Sequence, residues 1–201
     1  MGLVQTAYAN GSSTEYITKQ LGVPVEFTPT GVKHLHHKAT EFGVGVYFEA
    51  NGHGTIVFSE EAQRLIRARG GEKLSTLLDV VNSTVGDAIS DMLAVECVLA
   101  DRDWDCAAWL ACYVDLPNRL GKVAVKDRTM VTTTDAERKV VTPDGLQQGI
   151  DTIVAKFEKG RSFVRPSGTE DCVRVYSEAA TRAGADDLNK EVSELVVKLC
   201  G

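Results

Sequence analysis

Arg165, Ser167, Gly168, Thr169 and Arg174 fall close together in the stretch "FVRPSGTEDCVRVY", and their types suit an anion grip. The chain carries a formal net charge of −6, so this positive charge is a local feature. A guanidinium presents a planar fork to two phosphate oxygens, and the hydroxyls of Ser167 and Thr169 add donors. Gly168 keeps the turn clear of a side chain, so backbone amides can form a small anion-binding concavity. Period-two alternation in the outgoing strand puts Cys172, Arg174 and Tyr176 on one face, which leans a second cation over the turn. The same letters also read as a Pro-Ser-Gly turn between hairpin strands with surface arginines. Glu170 and Asp171 oppose an anion unless they orient those arginines.

A second group, Glu49, Asn51 and His53 in "FEANGHG", can read a sugar hydroxyl or an amide. Asn-Gly between apolar runs is equally the strongest short hairpin signal, so a turn without further function explains the stretch too. Upstream, "TPTG" precedes a helical pattern. Thr30 can cap that helix, leaving the amides at Gly31 and the Lys33 ammonium in the first turn to meet an anionic or hydroxylated ligand. All four histidines lie between residues 34 and 53, which invites a metal site. However, His34 and His37 share a helix face while His36 points elsewhere, and no cysteine or carboxylate stands at ligand spacing. In "DRDWD", Asp101, Asp103 and Asp105 alternate as in a magnesium loop, but no turn glycine is present and Trp104 interleaves. A solvated connector is expected there, and no metal ligands and no catalytic group are expected in this chain.

The elements that must carry these residues alternate in the first half: strand then turn in "GLVQTAYANG", a strand in "VPVEFTPTG" ending at Pro29, and strands at "GVGVYFEA" and "GTIVFS", with a helix bearing Val32, Leu35, Ala39 and Phe42 inward. Helices follow over Glu60 to Arg69, stopped by Gly70-Gly71, over Leu74 to Val81, and from an Asn82-Ser83 cap through "GDAISDMLAVECVLA". The second half gives a strand at "GKVAVKD", a helix over "VTPDGLQQGIDTIVAKFEKG", strands at "RSFVR" and "CVRVYSEA", and a closing helix with Leu188, Val192, Leu195 and Leu199 inward. The expected fold is an α/β layered domain with a mixed sheet over residues 1–105. A small α+β domain over 106–201 follows, its antiparallel sheet covered by helices on one face.

Hydrophobic content of 43% and charged content of 25% fit a globular chain, and no run approaches the roughly 18 apolar residues of a membrane span. "MGLVQT" meets the M-G-x-x-x-[ST] acylation pattern, yet it reads equally as a buried strand. Five cysteines without a C-x-x-C pair argue against disulfides and zinc, and for a reducing, cytoplasmic setting. Dispersed basic residues argue against nucleic acid. Neither a membrane nor an oligomeric partner is expected.

Taken in order, "QTAYANGSST", "TGVKHLHHKA", "GVYFEANGHGT", "GDAISDML", "DLPNR", "TTDAER", "VTPDGLQ" and "FVRPSGTEDCVRVY" give a chain that resembles the α-D-phosphohexomutases through essentially its whole length. Within them it is similar to the branch that handles N-acetylglucosamine phosphate. The resemblance implies interconversion of sugar 6-phosphate and 1-phosphate through a phosphoserine and a sugar bisphosphate intermediate, with Mg2+, in UDP-N-acetylglucosamine synthesis. It implies that Arg165, Ser167, Gly168, Thr169 and Arg174 match the phosphate loop of the fourth domain, and Glu49, Asn51 and His53 the sugar loop of the third. Hexose-phosphate relatives usually carry serine at the position of Asn51, which points to an N-acetylated sugar. The family's T-A-S-H-N-P-like phosphoserine loop and D-G-D-A-D-R-like magnesium loop are not found in this sequence. The expected role is therefore the substrate-binding half of an enzyme whose first two domains supply nucleophile and metal, inactive by itself. A stand-alone sugar-phosphate-binding or regulatory module is the alternative.

Overall fold

Val4, Leu35, Ala39, Tyr47 and Val57 are buried together, and around them the first half of the chain takes its shape. The computed structural model describes residues 1–84 and 86–201. They form two compact units, Met1–Ala9 with Ser13–Val114, and Asn10–Ser12 with Asp115–Gly201.

In the first unit, strands β1 (Gly2–Thr6), β2 (Val25–Thr28), β3 (Val44–Phe48) and β4 (Gly54–Phe58) make a sheet of order β2-β1-β3-β4. β1 runs parallel to β2 and β3, while β3 and β4 are antiparallel, so the sheet is mixed as expected. Helix α1 (Gly11–Glu15) continues into a π-helical turn, Tyr16–Gln20. Helix α2 (Val32–Ala39) buries Leu35 and Ala39, one turn apart on one stripe, with Val32 and Phe42 packed against the same core. A Cβ at Gly45 would overlap the Ala39 carbonyl, so glycine lets the end of α2 sit against β3.

Helix α3 (Glu60–Arg69) is capped by Ser59, whose Oγ accepts from the Ala62 amide at 3.1 Å. Gly70-Gly71 does not separate it widely from the next helix. With Gly71 at φ +73 the chain turns and restarts at once as α4 (Gly71–Val80). Helix α5 (Ala88–Asp101) starts later than its expected Asn82-Ser83 cap, because Asp87 takes the capping role with its carboxylate on the Ile89 amide at 3.0 Å. Asn82 closes a local turn on Thr84 instead. α5 buries only Leu99, while Ile89, Met92, Leu93 and Val98 remain exposed: it is apolar on several faces, more than one packing contact can cover. In "DRDWD", Asp101 ends α5, Asp103 takes φ +54, and Asp105 caps α6 (Cys106–Leu110) through the Ala108 amide at 2.7 Å.

The second unit has a three-stranded antiparallel sheet, order β5-β9-β8, from β5 (Asn118–Ala124), β8 (Arg161–Pro166) and β9 (Cys172–Glu178). Between β5 and β8 lie a hairpin of β6 (Thr132–Thr134) and β7 (Lys139–Thr142), then helix α7 (Leu146–Val154). Helix α8 (Arg182–Cys200) closes the chain and is capped by Thr181. The expected helix over "VTPDGLQQGIDTIVAKFEKG" is shorter. Val141 and Thr142 belong to β7, and Pro143 with Gly145 at φ +83 keeps the helix from starting before Leu146. Phe157 lies beyond the helix and still packs on the core. Val123, Val164, Val173 and Val175 face Leu188, Val192 and Val196 of α8 with Leu146 and Ile150 of α7, so both helices cover one face of the sheet. At Gly121 a Cβ would meet the Asn189 side chain, which explains the glycine under α8.

Candidate functional site

The face of this sheet turned away from α7 and α8 is ordered in rows, because residues paired across antiparallel strands share a face. The first row pairs Asn118, Glu178 and Arg161. Glu178 is 1% exposed and accepts from Arg161 Nε at 2.8 Å, Arg161 Nη2 at 3.0 Å, the Tyr176 hydroxyl at 2.6 Å and the Gly11 amide at 3.1 Å. Asn10 fixes that glycine's segment, donating to the Leu116 carbonyl at 2.9 Å and accepting from the Leu116 amide at 3.1 Å. In the second row Phe163 stacks on Tyr176 with centroids 5.2 Å apart, and the Arg161 guanidinium lies 4.9 Å from the Tyr176 ring. Burial, and then the bond to Glu178, push the Tyr176 phenol well above its ordinary range.

The third row is Lys122, Arg174 and Arg165, three cations side by side across β5, β9 and β8. Like charges directly opposite one another destabilise a sheet, so the row needs anions. Glu170 supplies one, at 2.8 Å from Lys122 Nζ and 3.0 Å from Arg174 Nη2, and these cations hold its carboxyl below the usual range, Lys122 most strongly. Glu137, at the tip of the β6–β7 hairpin, lies 3.1 Å from Arg165 Nε. Beyond the row, the Ser167 amide donates to the Cys172 carbonyl at 2.9 Å and closes the loop Gly168, Thr169, Glu170, Asp171. The amides of Thr169 and Glu170 both turn in toward Ser167 Oγ, each at 3.4 Å. Gly168 is outside the positive-φ region, and a Cβ there would meet nothing within 4 Å, so the chain's own packing does not demand glycine.

The structure thus brings Arg165, Arg174, Ser167, Gly168 and Thr169 together at one end of the sheet and adds Lys122, Glu137 and Glu170. Lys122 reads in the sequence only as part of a strand, since its neighbours follow from cross-strand register. Glu137 gives no local signal at all.

In the first unit, β3 and β4 form the expected hairpin, but not with a two-residue Asn-Gly turn. Pairing of Phe48 with Gly54 leaves a five-residue loop, Glu49 to His53, closed by the Glu49 amide on the His53 carbonyl at 2.9 Å. Asn51 Oδ1 accepts from the His53 amide at 2.9 Å, and Gly52 takes the left-handed position at φ +85. The Glu49 carboxylate reaches the Gly31 amide at 3.2 Å, so Glu49 and the "TPTG" segment meet. Thr30 does not cap α2: Gly31 occupies that position at φ +128, a conformation suited to glycine, and Lys33 is exposed in the first turn. His34 and His37 are exposed, while His36 Nδ1 sits 3.1 Å from the Tyr47 hydroxyl. Asn51, Gly52, His53, Gly54, Gly86, Ala88 and Asp91 line a concavity of about 270 Å³. Burial, and then the charge of Asp87, raise the Asp91 carboxyl, while His53 pulls it the other way.

Among the described residues no group of three or more His, Cys, Asp or Glu is placed to hold a metal ion. Among the same residues no helix is long and apolar enough to cross a membrane.

Known proteins match this architecture along the whole chain. The family model described as phosphoacetylglucosamine mutase AMG1, domain III, matches residues 1–104, and that of the phosphoglucomutase/phosphomannomutase C-terminal domain matches residues 120–195. Phosphoacetylglucosamine mutase 1 of Schizosaccharomyces pombe is 55% identical over 98% of this chain, and the human phosphoacetylglucosamine mutase 52% over 100%. The chain spans 40% and 39% of their respective lengths. The Aspergillus fumigatus N-acetylphosphoglucosamine mutase in complex with GlcNAc-6P and magnesium superposes with a TM-score of 0.94 at 56% identity, over 97% of this chain and 41% of that one. A Burkholderia thailandensis phosphoglucomutase/phosphomannomutase family protein, at 13% identity, 98% coverage of this chain and 37% of its own, and a TM-score of 0.56, shares the fold. On this likeness of sequence and fold, the chain belongs to the phosphoacetylglucosamine mutase family and carries the counterparts of its third and C-terminal domains.

Proposed function

We propose that this chain is the substrate-binding half of a phosphoacetylglucosamine mutase, which interconverts N-acetylglucosamine 6-phosphate and 1-phosphate. The observation that carries this reading is the row Lys122, Arg174, Arg165, which ends at a loop whose glycine has no packing reason to be glycine. An anion at that loop relieves the repulsion within the row, and an open Gly168 lets a phosphate approach the backbone. Arg165, Ser167, Gly168, Thr169 and Arg174 bind the phosphate that does not react. Glu49, Asn51 and His53, with Thr30, Gly31 and Lys33, bind the sugar, and Asn51 favours the N-acetylated one. In this reading residues 1–105 are the sugar-binding domain and 106–201 the phosphate-binding domain.

Binding energy from these remote groups is used to orient the reacting end. The phosphoserine nucleophile and the Mg2+ that spreads charge during phosphoryl transfer belong to the rest of such an enzyme, as does formation of the sugar bisphosphate intermediate. The chain alone turns nothing over. The free cysteines fit work in the reducing cytoplasm, as a monomeric enzyme feeding UDP-N-acetylglucosamine synthesis.

The test is a chimera in which this chain replaces the matching part of the S. pombe relative. It should convert N-acetylglucosamine 6-phosphate to the 1-phosphate. Charge-assisted hydrogen bonds contribute about 1.5–3 kcal/mol each, so Arg165→Ala should lower kcat/KM about 10- to 150-fold. A folded chimera without activity, or one indifferent to Arg165→Ala, refutes the reading.

A further inference from the structure

We propose that Glu137 is a positioning residue for Arg165, holding its guanidinium in the orientation that receives a phosphate; this rests on the phosphate-loop reading above. The two cations with the clearest approach to the loop are held differently. Arg174 pairs with Glu170 while their side chains stay 41% and 47% exposed. Arg165 and Glu137 are each only 17% exposed, 3.1 Å apart. A pair withdrawn from water is screened less and moves less than an exposed one. The carboxylate meets Nε, the guanidinium nitrogen nearest the backbone. The contact is a charge pair and not a hydrogen bond from Nε–H, so the carboxylate holds the guanidinium by charge and leaves the terminal edge, where two parallel N–H bonds match two phosphate oxygens, to the ligand.

The hairpin that presents Glu137 is unusual. Asp135, Ala136 and Glu137 take φ of +52, +55 and +66 in succession, and none of them is glycine. Such backbone is unfavourable for ordinary residues and persists where the surroundings hold it. Here Arg138 braces the tip on Asp135 at 2.5 Å, and the Val140 amide is held by Gln147 of α7 at 2.7 Å. The tip braced in this way places the Glu137 carboxylate beside Arg165.

Immobilising a flexible side chain on binding costs enough to weaken affinity about threefold to tenfold, and a pre-held arginine avoids that cost. The experiment follows N-acetylglucosamine 6-phosphate binding to the full chain by calorimetry, together with the Arg165 Nε–H resonance in the ligand-free state. Glu137→Ala should weaken binding threefold to tenfold and broaden or shift the Nε–H signal into rapid solvent exchange. Glu137→Gln, which keeps the shape and removes the charge, should weaken binding as Glu137→Ala does. In an Arg165→Ala background, Glu137→Ala should change nothing further. If the alanine chain does not fold, Glu137→Asp, too short to reach Nε, replaces it with the same expected loss. Unchanged affinity and an unchanged Nε–H signal in Glu137→Ala overturn the inference, as does an equal loss in the Arg165→Ala background. If Arg165→Ala alone leaves binding intact, the phosphate-loop reading fails, and the Nε–H signal still decides whether Glu137 orders Arg165.

Discussion

Replacing both members of the Arg161–Glu178 pair by leucine should destabilise the second unit far less than the two single replacements added together. Glu178 is 1% exposed and collects donors from Arg161, Tyr176 and the Gly11 amide. Removing one partner of a buried pair costs about 3–5 kcal/mol, because the other charge is left uncompensated. The Arg161 side chain is 32% exposed, so water offsets part of this and the lower end, about 3 kcal/mol, is expected for each single change. With a urea slope of about 1.5 kcal/mol/M, that lowers the midpoint by about 2 M. Replacing both leaves no uncompensated charge but takes the acceptor from the Tyr176 hydroxyl and the Gly11 amide, so it should cost about 3 kcal/mol, well short of the sum of the two single changes. Hydrogen exchange of α8 amides in urea reports on this unit, whereas Trp104 and Trp109 lie in the other. If the double variant is as unstable as the sum of the singles, the pair is not coupled and the reasoning fails.

Alkaline titration gives a second test. The Tyr176 phenol is raised by burial and by Glu178, and that of Tyr47 by burial and then Asp91. A raised folded value means the associated stability is full below the ordinary phenol range near pH 10 and is lost as pH climbs through the folded value. Absorbance at 295 nm should therefore show Tyr176 and Tyr47 ionising later than an ordinary phenol, and ionisation of all five in the ordinary range with the fold intact would contradict the packing described. In the chimera, Asn51→Ser should shift the activity ratio modestly from N-acetylglucosamine phosphate toward glucose phosphate; an unchanged ratio assigns acetyl recognition elsewhere. The chain alone, given Mg2+ and sugar bisphosphate, should show no mutase turnover above background, and measurable turnover would overturn its assignment as a binding half.

Much of this was legible from residue types. The Leu35–Ala39 stripe marks α2, and the inward residues of α8 follow the helical period. Local rules also place the arginines at a hairpin turn. What escaped depends on distant partners. Thr132–Thr134 is too short and irregularly paired to read as a strand, and nothing in Asp-Ala-Glu announces three left-handed residues. The Asn-Gly signal in "EANGH" was overridden by a strand register that leaves five residues in the loop. Asn10 joins the second unit through Leu116, a pairing no window of sequence contains.

The most direct test of the central claim is an amide NMR titration of the full chain with N-acetylglucosamine 6-phosphate and, separately, inorganic phosphate. Both ligands should move Ser167, Gly168, Thr169 and the Arg165 Nε–H, and only the sugar phosphate should also move Asn51, Gly52 and His53. Saturating sugar phosphate that leaves the Arg165 and Ser167–Thr169 signals in place would contradict a phosphate site at this turn.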